Sequence, residues 1–230
     1  MNDTPARLSL CREVTRKALH LVFVVVPVAY AFGFPRRWLV AGLGAAALVA
    51  VVIELARRWH APTRERFVRL VGVLLREHEQ ARWSGATWMV LSMLGLAALV
   101  PRAVAVAAMW AISAGDASAA LVGRAFEGRD EEVDVANGSP LTPPSERAVS
   151  GSMGAKVVRR RGGKTFRGSA ACFVVTLSGA LLLARLSPAE SVVAALLATV
   201  AERFGKPVDD NVRIGAVVAL GILLWHKMFS

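Results

Sequence analysis

Several groups of residues in this 230-residue chain could do chemistry, and each suits the handling of phosphate or a hard cation. Asp116 is a carboxylate set among Ser113, Gly115, Ala117, Ser118, Ala119 and Ala120. Small side chains let a helix or ligand approach the backbone closely, and an ionisable group in an apolar stretch is expensive to keep. A polar site built into a helix is the reading this favours, over a carboxylate that only pairs with a neighbouring helix. Gly162-Gly163-Lys164-Thr165 joins a glycine backbone, an ammonium and a hydroxyl just ahead of Gly168-Ser169. That set suits phosphate contact, but it is not a P-loop, because Val158 stands where the earlier glycine is required. Glu202, Asp209, Asp210 and Asn211 are hard oxygen donors. Mg²⁺ is usually held by one or two such carboxylates together with substrate phosphates. The plainer reading of this cluster is a solvated turn broken by Pro207. Near the start, Glu13, Arg16, Lys17 and His20 share a helix face at i, i+3, i+4 and i+7. A basic anchor for a first span accounts for all of them except the histidine. His78-Glu79 is not a zinc motif, because Arg82 holds the place of the second histidine.

The elements that must position these groups are apolar blocks. Hydrophobic types make up 55% of the chain, above the roughly 45–50% of soluble domains. The excess is concentrated in Leu21–Phe34, Trp38–Ile53, Trp83–Val100, Ala103–Gly115, Gly168–Ala184, Ser191–Ala201 and Ile214–Trp225. A membrane-crossing helix needs about 20 mostly apolar residues, which several blocks reach with their flanks. The fourth reaches it only by running through Asp116 to Gly123, and the last two are short. The expected fold is therefore all-α: a polytopic membrane bundle of about seven transmembrane helices forming one catalytic domain over residues 1–230.

Cytoplasmic loops carry excess Lys and Arg. Seven alternating spans put 23 of the 28 cations on one side, with the N-terminus. The net charge of +11 is thus expected to set topology and membrane contact, not to bind nucleic acid. The same topology brings Arg16, His20, Glu54, Glu79, Asp116, Lys164 and the 202–211 cluster to the cytoplasmic face. Residues 127–161 pass from an acidic cluster through Pro140, Pro143 and Pro144 to Arg159–Arg161, and read as a flexible cytoplasmic loop. Between Arg58 and Glu77, Phe67, Leu70, Val71, Leu74 and Leu75 read as an amphipathic helix on the inner leaflet. Cys11 and Cys172 form no metal or redox spacing.

Taken in order, these segments resemble the CTP-dependent polyprenol kinase group, which includes dolichol kinase, phytol kinase and the CTP-dependent diacylglycerol kinase. The segments that carry the resemblance are Arg16-Lys17-Ala18-Leu19-His20-Leu21, Arg76-Glu77-His78-Glu79 before Gly85-Ala86-Thr87, and Gly115-Asp116 through Gly123-Arg124. They continue with Gly163-Lys164-Thr165-Phe166-Arg167-Gly168-Ser169 and with Glu202 before Asp209-Asp210-Asn211. The resemblance spans nearly the whole chain, and the acidic, proline-rich 127–161 stretch is longer than in the shorter members.

It implies an integral membrane enzyme at the cytoplasmic face, taking CTP and a divalent cation and phosphorylating a lipid hydroxyl. The nucleotide would meet Gly115, Arg124, Gly163, Lys164, Thr165 and Ser169, with Arg16 and Lys17 nearby. Asp116, Glu202 and Asp210 would hold Mg²⁺, and His20 or a carboxylate would take the acceptor's proton. The group shades into phosphatidate cytidylyltransferase, which would use much the same residues to make a CDP-lipid. A transporter or scaffold using Asp116 as an ion or substrate site is the non-enzymatic alternative, though no paired repeats of the kind transporters show are present.

Overall fold

A computed structural model describes residues 20–60, 65, 83–137, 164–204 and 209–229, with the side chains of 127–137 left aside. Within these residues the structure is helical and contains no strand. In chain order the helices are α1 (Val25–Ala31), α2 (Arg36–Trp59), α3 (Gly85–Leu99), α4 (Arg102–Trp110), α5 (Asp116–Asn137), α6 (Phe166–Leu182), α7 (Pro188–Arg203) and α8 (Asp210–Phe229). A π-helical turn, Ala111–Gly115, joins α4 to α5 in one rod. Each apolar block of the sequence falls on one of the resulting seven rods.

Local sequence sets most of the helix ends. Pro27 has no N–H for the Phe23 carbonyl, so the helix loosens there, and that carbonyl accepts from Val26 N–H at 3.1 Å instead. Ser84 caps α3 by accepting from Thr87 N–H, and Thr165 caps α6 by accepting from Gly168 N–H. Ser187 and Glu190 close a full capping box on α7, with Pro188 in its first turn. Arg57 and Arg58 end α2, where cations complement the helix dipole. Helix α5 runs on to Asn137, into the segment expected to be loop from residue 127. No Pro or Gly interrupts 129–137, and Gly138 and Pro140 follow only afterwards. The rest of that segment, residues 138–161, lies outside the described residues, as does nearly all of the amphipathic stretch read before Glu77.

Among the described residues, three helical stretches are long and apolar enough to cross a membrane: Arg36–Trp59, Arg102–Phe126 and Asp210–Phe229. The middle one is the axis of the molecule, with 78% of its apolar window buried against 22% and 28% for the other two. It packs against α1, α3, α6 and α8, and its π turn also touches α7. Leu48, Val52, Val174, Leu220 and Leu224 stand exposed on the outer helices. Water solvates such a surface poorly, and lipid solvates it well.

Contacts between helix ends show that consecutive rods alternate in direction. At one end, Glu54 of α2 meets Ser84 ahead of α3, Asn211 of α8 meets Gly85, and Lys164 ahead of α6 meets Glu202 of α7. At the other, Arg36 donates to the Ala97 and Ala98 carbonyls closing α3, and Glu190 of α7 meets His226 of α8.

Candidate functional site

The first of these ends collects the chemistry. Asp116 follows directly on the π turn, whose five residues are all buried. A π turn widens the helix locally and re-aims the residues after it, and such turns recur at functional sites. Its last residue, Gly115, lies against α6: a Cβ there would stand 2.6 Å from Thr176 Oγ1 and 3.6 Å from Cys172 Sγ. The carboxylates of Asp116 and Glu202 both lie within electrostatic range of the Cys172 thiol, which rests against Thr176 and Thr199. Asp116, Glu202 and Cys172 are all buried.

Helix α8 completes the floor. A Cβ on Gly215 would come within 2.7 Å of Ile112, so α8 and the π turn touch there. One turn further toward the same end on each rod stand Asn211 and Asp116, which helical geometry puts level with each other. Asn211 is buried; its Nδ2 donates to Gly85 O at 3.1 Å and to Asp209 Oδ1 at 2.9 Å. Its Oδ1 is buried with no hydrogen-bond partner among the described residues. Buried acceptors of this kind are uncommon and call for an explanation.

The rim is cationic. Lys164 Nζ pairs with Glu202 Oε1 at 2.9 Å and also donates to the Glu202 carbonyl, while its side chain stays 40% exposed. Arg203 donates to Ser169 Oγ at 3.2 Å. Since that oxygen accepts from Arg203, the Ser169 hydroxyl keeps its own proton to donate elsewhere. Gly123 brings α5 against Thr165, so the half-buried Arg124 emerges beside the cap of α6. The approach is close because Gly168 has no Cβ; one there would stand 2.6 Å from the Ala119 carbonyl.

The remaining expected residues fall as follows. Asp210 pairs with Arg213 at 2.6 Å, and among the described residues no three His, Cys, Asp or Glu side chains gather as metal ligands. The expected trio of Asp116, Glu202 and Asp210 therefore does not form. Asp116 and Glu202 both act on Cys172, and helical register puts the buried Asn211 Oδ1 on the level of Asp116, so the donors at this end are all oxygens. Those donors suit Mg²⁺, which takes few protein ligands, better than a softer metal. His20 is buried in the helical turn ahead of α1, with Nδ1 3.0 Å from Met89 Sδ. A thioether only accepts, so this bond puts the hydrogen on Nδ1, and Nε2 is the basic nitrogen of the neutral ring. Arg16, Lys17, Glu79 and Gly163 lie outside the described residues.

Sequence reasoning missed several contributors. The π turn, Cys172, Thr176 and Arg203 belong to the site's wall or rim, and only Arg203 carried a signal, as a cation ending an apolar block. Glu54, expected only to stand at this end, also joins two helices: it accepts from Arg57 Nε at 2.6 Å, Ser84 N–H at 2.8 Å and Thr87 Oγ1 at 3.2 Å, locking α2 to the start of α3. No protein-family model, curated protein or solved structure matches the chain.

Proposed function

We propose that this protein is a CTP-dependent lipid kinase, a membrane phosphotransferase whose seven rods all cross the bilayer with the N-terminus and the active site at the cytoplasmic face. The observation that carries the reading is the combination at one bundle end: two buried carboxylates, Asp116 and Glu202, an orphaned amide oxygen on Asn211, and a half-exposed lysine on the rim. The resemblance to the polyprenol kinase group supplies the nucleotide and the class of acceptor, and the excess of cations on that side supplies the orientation.

Phosphoryl transfer asks the protein mainly for positioning and charge neutralisation. Lys164 swings from Glu202 to the nucleotide phosphates, helped by the Ser169 hydroxyl and by Arg124. Asp116, Glu202 and the Asn211 amide oxygen would hold Mg²⁺, which would supply further charge neutralisation. The acceptor is a lipid alcohol, either an isoprenoid such as a polyprenol or phytol-like chain, or a diacylglycerol. It enters sideways from the bilayer with its hydroxyl at the interface. Its proton passes to a site carboxylate or to His20 Nε2, and a His20→Gln variant separates the two: loss of turnover assigns the histidine.

The test is the position of a label. The purified protein in lipid, given Mg²⁺ and a panel of lipid alcohols, should transfer γ-labelled but not α-labelled phosphate from CTP to the lipid. Label from the α-position would make the enzyme a cytidylyltransferase. No nucleotide consumption with any acceptor would overturn the enzymatic reading.

A further inference from the structure

At the opposite end of the bundle from Asp116 lies a cavity of about 470 Å³. Its walls include Ala31, Ala103, Val106 and Leu183, and two arginines, Arg102 and Arg185, reach it. Among the described residues no Asp or Glu lines it. Arg102 is already placed: its guanidinium lies 4.9 Å from the Tyr30 ring centroid and donates to the Phe34 carbonyl at 3.4 Å. Arg185 is different. It is exposed and has no hydrogen bond, ion pair or ring contact among the described residues. The neighbouring cations of this end are engaged, Arg36 on the α3 carbonyls and Arg37 over Trp38.

Arg185 also stands in a conformation that its residue type disfavours. Its φ is +54°, the only positive φ of a non-glycine residue among those described. The turn closes α6, with Leu186 N–H bonded back to Ala180 O at 3.1 Å and Ala184 N–H to Gly179 O at 3.0 Å. Glycine is the usual occupant of such a left-handed position, and strain kept at one residue is a sign of use. A cation that served only topology could sit at any neighbouring interfacial position without this strain. Here it lines a cavity that already holds a second, fixed guanidinium, on the side of the chain poorest in cations.

We propose that this cavity binds a phosphate group, presented by an anionic lipid whose headgroup lies between Arg102 and Arg185. Arginine forks match phosphate oxygens in pairs, and no carboxylate competes for them. The exposed Phe32 is part of the cavity's lining, and the exposed Leu182, beside Leu183, continues it with apolar surface suited to acyl chains. The site is separate from the carboxylate end, and it stands whether or not the chain is a kinase.

The experiment uses the full chain, stripped of lipid in detergent and titrated with phosphatidylglycerol, with an uncharged glycolipid and with inorganic phosphate. Bound lipid is counted by native mass spectrometry, and stabilisation is read by thermal unfolding. Arg185→Gly removes the guanidinium while suiting the left-handed backbone, and Arg37→Gln alters a cation of the same end that does not line the cavity. Phosphatidylglycerol should bind the wild type and Arg37→Gln alike and bind Arg185→Gly about tenfold more weakly, the loss of one charge-assisted contact. An Arg185-dependent shift from inorganic phosphate alone would support the phosphate site and assign it to a free anion, overturning the lipid source. Equal binding of phosphatidylglycerol by Arg185→Gly and wild type, or equal binding of the glycolipid, would overturn the proposal.

Discussion

Replacing Glu54 by Leu tests the joint that fixes α3, the helix whose first residue, Gly85, accepts from Asn211. Glu54 and Arg57 are 1% and 3% exposed, and their side chains meet at 2.5 Å. Removing one member of a buried ion pair costs about 3–5 kcal/mol. For a domain of this size each kcal/mol moves the melting temperature by about 2–4 °C, so Glu54→Leu should lower it by about 6–20 °C. The double variant Glu54→Leu/Arg57→Leu replaces the pair with apolar groups, a change that is often close to neutral. It does not replace the acceptor for Ser84 N–H, held at 2.8 Å by Glu54 Oε1. That orphaned donor costs about 1–3 kcal/mol, so the double variant should recover part of the loss and remain about 2–12 °C below wild type. Thermal unfolding of wild type, Glu54→Leu, Arg57→Leu and the double variant in one detergent or nanodisc measures the cycle. A single variant within about 1 °C of wild type, or a double variant as unstable as the single, would refute the buried-pair account.

Two further outcomes follow from other contacts. Gly168→Ala puts a methyl 2.6 Å from the Ala119 carbonyl, a backbone atom that cannot rotate aside; α5 and α6 must separate, with a stability loss of about 1–3 kcal/mol and a loss of phosphotransfer activity greater than that of the surface control Ala170→Ser. Glu190 has its carboxyl held below the ordinary glutamate value of 4.5, chiefly because Ser187 N–H donates to it at 2.8 Å, with His226 adding to the effect. A lowered folded value means that this cap stabilises fully above the unfolded glutamate value and fades as pH falls through the folded one. Melting curves of wild type and Glu190→Gln should therefore differ at neutral pH and converge in acid; a constant gap across pH would contradict the assignment.

How far the site was legible depends on the residue. Asp116 stands out because a lone carboxylate in an apolar run is costly, and Lys164 and Glu202 each drew notice by type. Their pairing did not, because 38 residues separate them and nothing local encodes the meeting of a loop with a helix end. The π turn left no trace, since Ala111, Ile112, Ser113, Ala114 and Gly115 fit an ordinary apolar helix equally well; the widening is a packing result. Glu54 and Arg57 are visible as an i, i+3 pair, but the Ser84 amide that completes their network arrives from the next helix. The seven apolar blocks located the rods well because burial and lipid exposure both demand apolar side chains. Helix α5 continues to Asn137, into residues expected to be loop, because no Pro or Gly interrupts 129–137.

Under the proposed function, Asp116 serves phosphoryl transfer to a lipid and is not a structural carboxylate. The direct measurement is γ-label transfer from CTP to lipid alcohol by Asp116→Asn beside wild type, with the melting temperature of both recorded in the same lipid. Label transfer should disappear in the variant while melting stays close to wild type. Transfer by Asp116→Asn at near wild-type rate would contradict it.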